Sequence, residues 1–210
     1  MNHRASGFTL IEVLLATALL AAGLALAFVT VRSAMTISQR GEAVAADNER
    51  MRAVQGLLRR QLSQALRSRI EPADPAREPL YFIGEAQRLR FVSEVPGYLG
   101  RGGSYVHDLQ VVRSGQGVRL QLGLVMVQDG VQIQERPPRA PEPLADGLRQ
   151  VTLRYRGRDE TSGGLSDWVD AWPDTRRPPL LVSVQVQPLR GPAWPELRVA
   201  LENGGQEQAR

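Results

Sequence analysis

One acidic residue stands at the edge of a long apolar stretch near the start of the chain. Glu12 is followed by an uncharged run from Val13 to Val31 that is rich in Leu, Ala and Val. A carboxylate beside about 19 uncharged residues must stay at a membrane interface, become neutral or find a cationic partner. The chemistry that Glu12 offers is therefore recognition of a positive charge in a membrane setting.

Residue types that carry out catalysis are scarce in this sequence. The 210 residues include no Cys and two His, which are His3 and His107. A Cys nucleophile, a His-based triad and a multi-His metal site are therefore not available. We interpret His107 and Asp108 as an ordinary pair at the edge of a strand, and we predict that the protein is not an enzyme and has no cofactor.

Acidic residues in the second half of the chain are the candidate ligands for a metal ion. They are Asp159, Glu160, Asp167, Asp170 and Asp174. Carboxylate oxygens suit Ca²⁺, but this spacing is not that of an EF-hand loop. We expect solvated loop acids and no metal site, with a bound calcium ion as the alternative.

The apolar run has the length of one membrane span. About 19 residues at ~1.5 Å each cover roughly 28 Å, close to the thickness of a bilayer core. Arg4 lies on the short N-terminal side and favours a cytoplasmic N-terminus, although Arg32 flanks the other end. We expect residues 8–31 to form a single transmembrane helix.

Residues 1–7 have the composition of a leader, but their order is not that of a secretory signal peptide. In a secretory signal the apolar core precedes the cleavage site and is discarded. Here the small residue Gly7 precedes the apolar run. Cleavage after Gly7 would therefore leave the hydrophobic helix in the mature chain.

The stretch Gly7-Phe8-Thr9-Leu10-Ile11-Glu12-Val13 resembles the class III signal of type IV pilins and type II secretion pseudopilins. The resemblance implies a pilin-like α+β fold, in which a long N-terminal helix with a membrane half and an amphipathic half packs on an antiparallel β-sheet with long loops. It also implies that a prepilin peptidase cuts between Gly7 and Phe8, that the new Phe8 amine is N-methylated, and that Glu12 engages the amine of a neighbouring subunit.

The proposed pairing of Glu12 with an amine agrees with elementary electrostatics. Cleavage would create an ammonium group at Phe8 in a setting of low dielectric constant. A carboxylate from a neighbour would compensate that charge where water cannot. The alternative for Glu12 is a solvated position at the level of the lipid headgroups.

The positive charge of the chain is concentrated after the apolar run. All 26 basic residues are Arg, and the formal net charge is +4. Residues 32–70 hold eight Arg against three acids, whereas residues 71–210 hold 17 Arg against 18 acids. Because the distal part is nearly neutral, we predict no nucleic-acid partner. The Arg residues of 32–70 then form a solvated helix face or contact an acidic neighbouring subunit.

An amphipathic pattern continues beyond the membrane run. Apolar residues recur at steps of three and four, which is typical of a helix with one buried face; they are Met51, Val54, Leu58, Leu62 and Ala65. We predict that residues 32–70 form the periplasmic part of the helix, ending near Ile70 because Pro72 follows. This stripe could pack on the sheet or contribute to a partner contact.

Beyond Pro79 the apolar residues recur at every second position, which indicates half-buried strands. The predicted strands are 89–95, 118–126, 131–135, 151–155, 181–187 and 197–201, with a hairpin turn at Asp129-Gly130. The predicted loops are 96–104, 136–143, 161–164 and 177–179. We expect residues 71–210 to form one β-rich globular domain whose antiparallel sheet has one face solvated or facing a partner.

The region around Trp168 and Trp172, followed by Pro178-Pro-Leu-Leu-Val-Ser-Val, is similar to the J-type minor pseudopilins of type II secretion systems. The helix segment 58–64 resembles them too, although Gln61 stands where an Asp is common. This resemblance implies a place at the pseudopilus tip with I-type and K-type minor pseudopilins, other pseudopilins and the inner-membrane secretion platform. The alternatives are a minor pilin of a type IV pilus or competence system and a membrane-tethered periplasmic enzyme or binding domain.

Trp168 and Trp172 allow two interpretations. They could belong to the core, or they could form a contact hot spot, because Trp is enriched in such sites. Our hypothesis is that the loop from Trp168 to Trp172, or the helix stripe of Met51, Val54, Leu58 and Leu62, binds an I-type or K-type partner.

Overall fold

The structure is a computed structural model that describes residues 9–70, 80–97, 102–128, 131–133, 137, 139–159 and 161–204, without the side chains of residues 37 and 40. The chain divides into two compact units, Met1–Glu49 and Arg50–Arg210. The predicted leader 1–7 and Phe8 lie outside the described residues.

One long helix, α1, covers Leu10–Ser63. Thr9 begins it, because the backbone N–H of Glu12 donates to the carbonyl oxygen of Thr9 at 3.1 Å and to its hydroxyl at 3.4 Å. In the apolar part, the hydroxyl of Thr17 donates to the carbonyl oxygen of Val13 at 3.0 Å. That bond satisfies the hydroxyl within the helix itself, which suits a segment without water around it.

Within the first unit, the helix has the composition of a membrane span. Its most apolar window has a mean hydropathy of 2.4, and none of that window is buried by the rest of the chain. The described side chains of residues 10–49 are all exposed, including Leu10 at 81% and Ile11 at 74%.

The helix ends earlier than we predicted, at Ser63 rather than near Ile70. The N–H groups of Gln64 and Ala65 still donate to the preceding turn, and from Leu66 onward the hydrogen bonds go to other parts of the domain. The N–H of Leu66 donates to the carbonyl oxygen of Val92 at 2.7 Å, and the side-chain amide of Asn203 donates to the carbonyl oxygen of Ala65 at 2.9 Å. These partners lie far away in the sequence and therefore leave no local signal.

The described part of the second unit contains eight strands in one antiparallel sheet, which confirms the predicted sheet type. They are β1 (Ile83–Gly84), β2 (Arg88–Val95), β3 (Gly103–Ser114), β4 (Gly117–Gln128), β5 (Val131–Ile133), β6 (Glu142–Arg156), β7 (Leu181–Pro188) and β8 (Leu197–Ala200). The strand order is β1-β2-β3-β4-β6-β7-β8, and β5 pairs with β4.

The sequence patterns located most of these strands but missed β1, β3 and the first half of β6. Strand β3 begins inside the predicted loop 96–104, and β6 begins inside the predicted loop 136–143. Strand β3 pairs with β4 over its length, from Ser104 opposite Val127 to Ser114 opposite Gly117. Pairing between strands thus overrides the polar local composition. The turn at 129–130 lies outside the described residues, although the strands that it was predicted to join do pair.

The core lies between the last turns of α1 and one face of the sheet. The helix contributes Val54, Leu58 and Leu62, which are 6%, 3% and 0% exposed, and Ala65 just beyond its end is 2% exposed. The buried sheet residues that form the same cluster include Leu89, Leu109, Leu120, Leu153, Val182, Val184 and Val199. The predicted apolar stripe is therefore confirmed as the surface that packs on the sheet.

The segment from Leu165 to Thr175 connects β6 with β1, the strand at the start of the sheet. The backbone groups of Tyr155 and Val169 exchange two hydrogen bonds of 2.8 and 2.9 Å, and the N–H of Trp172 donates to the carbonyl oxygen of Gly84 at 2.8 Å. The Tyr155 hydroxyl also donates to the carbonyl oxygen of Glu85 at 2.8 Å. Burial raises the pKa of this phenol. The sheet is therefore curled, with this loop between β6 and β1.

Truncation of Leu62 should show how much the helix–sheet contact contributes. Leu62 is fully enclosed, so we expect Leu62→Ala to lower the free energy of unfolding by about 2–5 kcal/mol, as buried Leu truncations do. Denaturant unfolding of the full chain in detergent micelles, followed by Trp fluorescence, would measure it.

The matched control is Leu165→Ala, because Leu165 is 49% exposed. We expect that change to stay within about 0.5 kcal/mol of the unsubstituted chain. Equal losses for the two variants would contradict the assignment of Leu62 to the core.

Candidate functional site

Glu12 lies in the first turn of α1, where its side chain is exposed. Along the same side of the helix it borders a shallow apolar groove with Val13, Ala16, Thr17 and Leu20. Small residues such as Ala16 and Thr17 allow another helix to approach closely. The site can therefore offer a carboxylate and a packing surface together. The two residues of the predicted cleavage site, Gly7 and Phe8, lie outside the described residues.

The helix stripe that we considered for a partner contact is mostly used by the chain itself. Val54, Leu58 and Leu62 are enclosed against the sheet, whereas Met51 is half-buried. Val54 and Leu58 are 6% and 3% exposed and Leu62 is fully buried, so almost no surface of these side chains remains for a partner. Periodicity alone could not distinguish packing within the chain from packing between chains.

Trp172 is part of the fold of the loop. It packs against the main core cluster, and its indole N–H donates to the carbonyl oxygen of Arg177 at 2.6 Å. A side chain at Gly157 would overlap the indole ring. Trp172 therefore holds the loop on the sheet, in agreement with the first of the two interpretations.

Trp168 lies on the other face of the sheet, the face opposite the helix. The guanidinium carbons of Arg156 and Arg198 are each 5.9 Å from the centre of the indole, in cation–π contact. The carbonyl oxygen of Trp168 accepts a hydrogen bond of 3.0 Å from Arg154. Trp168 is half-buried, so it keeps part of its surface available for a partner.

Glu196 completes this outer cluster. Its carboxylate accepts hydrogen bonds of 2.6 Å from the hydroxyl of Ser183 and from Arg198. The bond from Arg198, assisted by that from Ser183, lowers the pKa of Glu196 to about 2. Glu196 thus orients one of the two Arg residues that flank the indole.

The loop acids form local hydrogen bonds rather than a common site. Asp159 accepts bonds of 2.8 Å from the backbone N–H groups of Thr161 and Ser162, which lower its pKa. Asp174 accepts from the N–H groups of Arg176 and Arg177, and Asp170 pairs with Arg154 at 3.1 Å. Glu160 is outside the described residues. Within the described ranges, no three His, Cys, Asp or Glu residues lie close enough to hold a metal ion.

We predicted that His107 and Asp108 form a pair at the edge of a strand, and this prediction is wrong. They lie in the interior of β3 with their side chains on opposite faces, and His107 is 1% exposed. Asp108 accepts bonds of 2.9 and 2.7 Å from Arg88. Burial acts to raise the pKa of Asp108, but hydrogen bonds from Arg88 and Gln110 outweigh it, so the pKa is lowered. The alternation of Tyr105, His107 and Leu109 was the signal that could have revealed this strand.

A long N-terminal helix with an apolar first half, whose last turns pack on an antiparallel sheet, defines the pilin-like class of proteins. Residues 29–199 match the family model for type II secretion system (T2SS) protein J, and residues 2–28 match the prokaryotic N-terminal methylation motif. The chain belongs to the type II secretion system protein J family.

A full-length relative agrees with this assignment. The type II secretion system protein J of Xanthomonas campestris pv. campestris is 51% identical over 205 residues, which cover 98% of this chain and 97% of that protein. The solved GspK-GspI-GspJ complex from the enterotoxigenic Escherichia coli type 2 secretion system contains a chain that is 13% identical, with a TM-score of 0.48, over 76% of this chain and 98% of that one.

The family assignment confirms the resemblance that the sequence showed. The protein is a minor pseudopilin of a type II secretion system rather than a pilus subunit or a tethered binding domain. The family is one of structural pseudopilins, which agrees with the scarcity of catalytic residue types in the sequence.

A substitution at Gly157 should test the structural role of Trp172. Because an added methyl group would overlap the indole, we expect Gly157→Ala to lower the free energy of unfolding by about 1–3 kcal/mol. In a Trp172→Phe background the same change should cost less, since a smaller ring leaves room for the methyl group. Denaturant unfolding of the four chains in detergent micelles would give this coupling.

Gly164→Ala is the control for the change of residue type. A methyl group there would lie at an ordinary 3.5 Å from the Ser162 hydroxyl, so we expect little effect. If the losses in free energy of unfolding caused by Gly157→Ala and Trp172→Phe are additive, the two residues are not in steric contact.

Proposed function

We propose that this chain acts in the complex at the pseudopilus tip, where it joins I-type and K-type minor pseudopilins and supports export of folded proteins across the outer membrane. The observation that carries the proposal is the match of residues 29–199 to the protein J family. The role is mechanical rather than catalytic: the chain would supply surfaces on which an assembly forms.

The proposed location is the inner membrane, with a single span, a cytoplasmic N-terminus and a periplasmic C-terminal domain. The exposed apolar helix supports an anchor. The position of Arg4 on the short N-terminal side supports the orientation. The membrane helix would be residues 8–31 and the periplasmic part residues 32–210.

Maturation would take place at the N-terminal end of that helix. A prepilin peptidase would cut between Gly7 and Phe8, and the amine of Phe8 would then be methylated. The match of residues 2–28 to the methylation motif supports both steps. Cleavage would also make Glu12 the fifth residue of the mature chain.

Glu12 would pair with the Phe8 ammonium of a neighbouring pseudopilin. The carboxylate is exposed beside an apolar groove. In a bilayer an unpaired carboxylate is costly, so a cation brought by a neighbour favours assembly over a free anchor.

Among the residues that we predicted to meet an I-type or K-type partner, Met51, Trp168 and Trp172 keep accessible surface. Trp168 is the better candidate, because it stands between two Arg residues and both residue types are enriched in contact hot spots. Contacts with other pseudopilins and with the inner-membrane secretion platform would use the exposed helix.

Neutralisation of Glu12 should separate anchoring from assembly. We expect Glu12→Gln to enter the membrane normally but to fail to restore secretion in a strain that lacks this chain, which the unsubstituted protein restores. The chain has no Cys, so Ala16→Cys would place a single thiol on the same helix face for crosslinking to neighbours. We expect at least about tenfold less crosslinked product with Gln at position 12, because one partner of a desolvated pair is lost.

Glu42→Gln is the matched control, since Glu42 is an exposed acid of the same helix whose carboxylate accepts a hydrogen bond from Ser38. It should secrete and crosslink as the unsubstituted chain does. Failure of the unsubstituted chain to restore secretion would count against the proposed function itself, whereas full activity of Glu12→Gln would count against the pairing alone.

Replacement of Gly7 should block maturation. We expect Gly7→Val to accumulate as a full-length, unmethylated precursor, because a larger side chain would obstruct the cleavage site. Intact-mass spectrometry of the membrane fraction resolves the loss of seven residues and the addition of a methyl group. Ala5→Val, two residues away, serves as the control and should mature. A normally matured Gly7→Val chain would overturn this proposal.

A further inference from the structure

A small buried polar cluster joins the last turns of α1 to the sheet. Gln61 of the helix, Ser93 of β2 and His107 of β3 are 6%, 0% and 1% exposed, within surroundings that are otherwise apolar. Buried polar groups require hydrogen-bond partners, and these three side chains come from three separate elements. Their hydrogen bonds therefore tie the helix to two strands.

The distances define a chain of interactions. The Ser93 hydroxyl donates to the side-chain carbonyl oxygen of Gln61 at 2.6 Å and lies 3.3 and 3.4 Å from Nδ1 and Nε2 of His107. His107 Nδ1 is 3.1 Å from the backbone carbonyl oxygen of Tyr105. Since a carbonyl oxygen only accepts, Nδ1 carries the hydrogen, and the neutral ring leaves Nε2 without one. The Ser93 hydroxyl has given its hydrogen to Gln61, so at 3.3 Å its oxygen accepts a share of the same Nδ1–H.

The surroundings of the imidazole favour its neutral form. Its ring stacks on Phe91, with centroids 5.1 Å apart and an angle of 17° between the planes. The groups that meet it are Gln61 from α1, Phe91 and Ser93 from β2, Tyr105 from β3 and, across the strand pair, Leu124 from β4.

Tyr105 carries the one ionisable side chain in that group, so no carboxylate among them can accept an imidazolium proton. Asp108 follows His107 in the sequence and Arg88 lies three residues before Phe91. The side chains of both occupy the opposite face of the sheet. Arg59 and Arg60 of the helix are exposed.

We propose that Gln61, Ser93 and His107 form a proton-sensitive latch, which holds the end of α1 against β2 and β3 and weakens when the imidazole takes up a proton. A second proton on the ring would place a positive charge in an apolar site without a carboxylate among the neighbouring groups to compensate it. The inference goes beyond the proposed function and does not depend on it.

The direction of the pH effect follows from the two states. Burial lowers the pKa of His107 from 6.5 to about 4, against a smaller opposite effect of the bond to Tyr105. As the pH falls below about 6.5, the unfolded chain therefore binds the proton before the folded chain does. The latch keeps its full strength above that pH and loses it progressively toward pH 4, by about 100-fold in the folding equilibrium.

The full chain offers a direct test, because it contains two His residues. Imidazole resonances of the ¹⁵N-His-labelled protein in detergent micelles can be followed from pH 8 to pH 3.5, with His3→Gln to assign them. We expect the His107 resonance to titrate near 4. As it does, the protection factors of the backbone amides of 58–63, taken relative to the intrinsic exchange rate at each pH, should fall. A His107 midpoint near 6.5 in the folded chain would overturn the proposal.

Two variants extend the test. His107→Gln keeps a donor for the Tyr105 carbonyl oxygen but cannot titrate, so the protection factors of its amides at 58–63 should respond less to pH than those of the unsubstituted chain. Gln61→Glu brings a carboxylate to the cluster and should move the His107 midpoint to higher pH. The latch would be contradicted by an unchanged His107 midpoint in folded Gln61→Glu. It would also be contradicted by an unchanged pH response in folded His107→Gln. If either variant fails to fold, the titration of the unsubstituted chain decides between these outcomes.

Discussion

The rest of the second unit depends on the burial of one apolar helix stripe against one face of a curled sheet. Val54, Leu58 and Leu62 fill the space between α1 and the inward side chains of the strands. A single antiparallel sheet leaves one face without cover, and the helix provides that cover. The loop 165–175, which bonds to β6 and β1, and the polar cluster at Gln61 both pack next to this contact.

The same helix serves two environments because its composition changes along its length. Residues 10–49 bury none of their described side chains within the chain and expose large apolar groups such as Leu24 and Phe28. Exposed apolar surface of that extent requires lipid or another protein. From residue 50 onward the apolar residues are confined to one stripe, and that stripe is used inside the domain.

The outer face of the sheet differs in character from the face under the helix. There, Arg156 and Arg198 flank the indole of Trp168. Arg154 pairs with Asp170, and Arg198 pairs with Glu196. Ser183 below them is 1% exposed, so the cluster also seals the sheet. The accessible part of this indole is the surface that the proposed partner contact would use.

The sequence by itself determined the features that depend on neighbouring residues. The apolar run with Glu12, the motif around Gly7 and the helical stripe from Met51 identify the class of protein, and alternation located β2, β4, β7, β8 and part of β6. Such patterns are local, because a helix or strand face is set by residues a few positions apart. They were therefore sufficient for the family and for the type of fold.

Only the tertiary structure decided which surface each residue occupies. The end of α1 at Ser63 depends on Val92 and Asn203, and β3 depends on its pairing with β4. Trp172 packs on the core and Trp168 lies on the outer face because of contacts with residues far away along the chain. The burial of His107 beside Gln61 has the same origin. Contacts between distant residues leave no periodic signal, so these decisions belong to the folded chain and not to any single stretch of it.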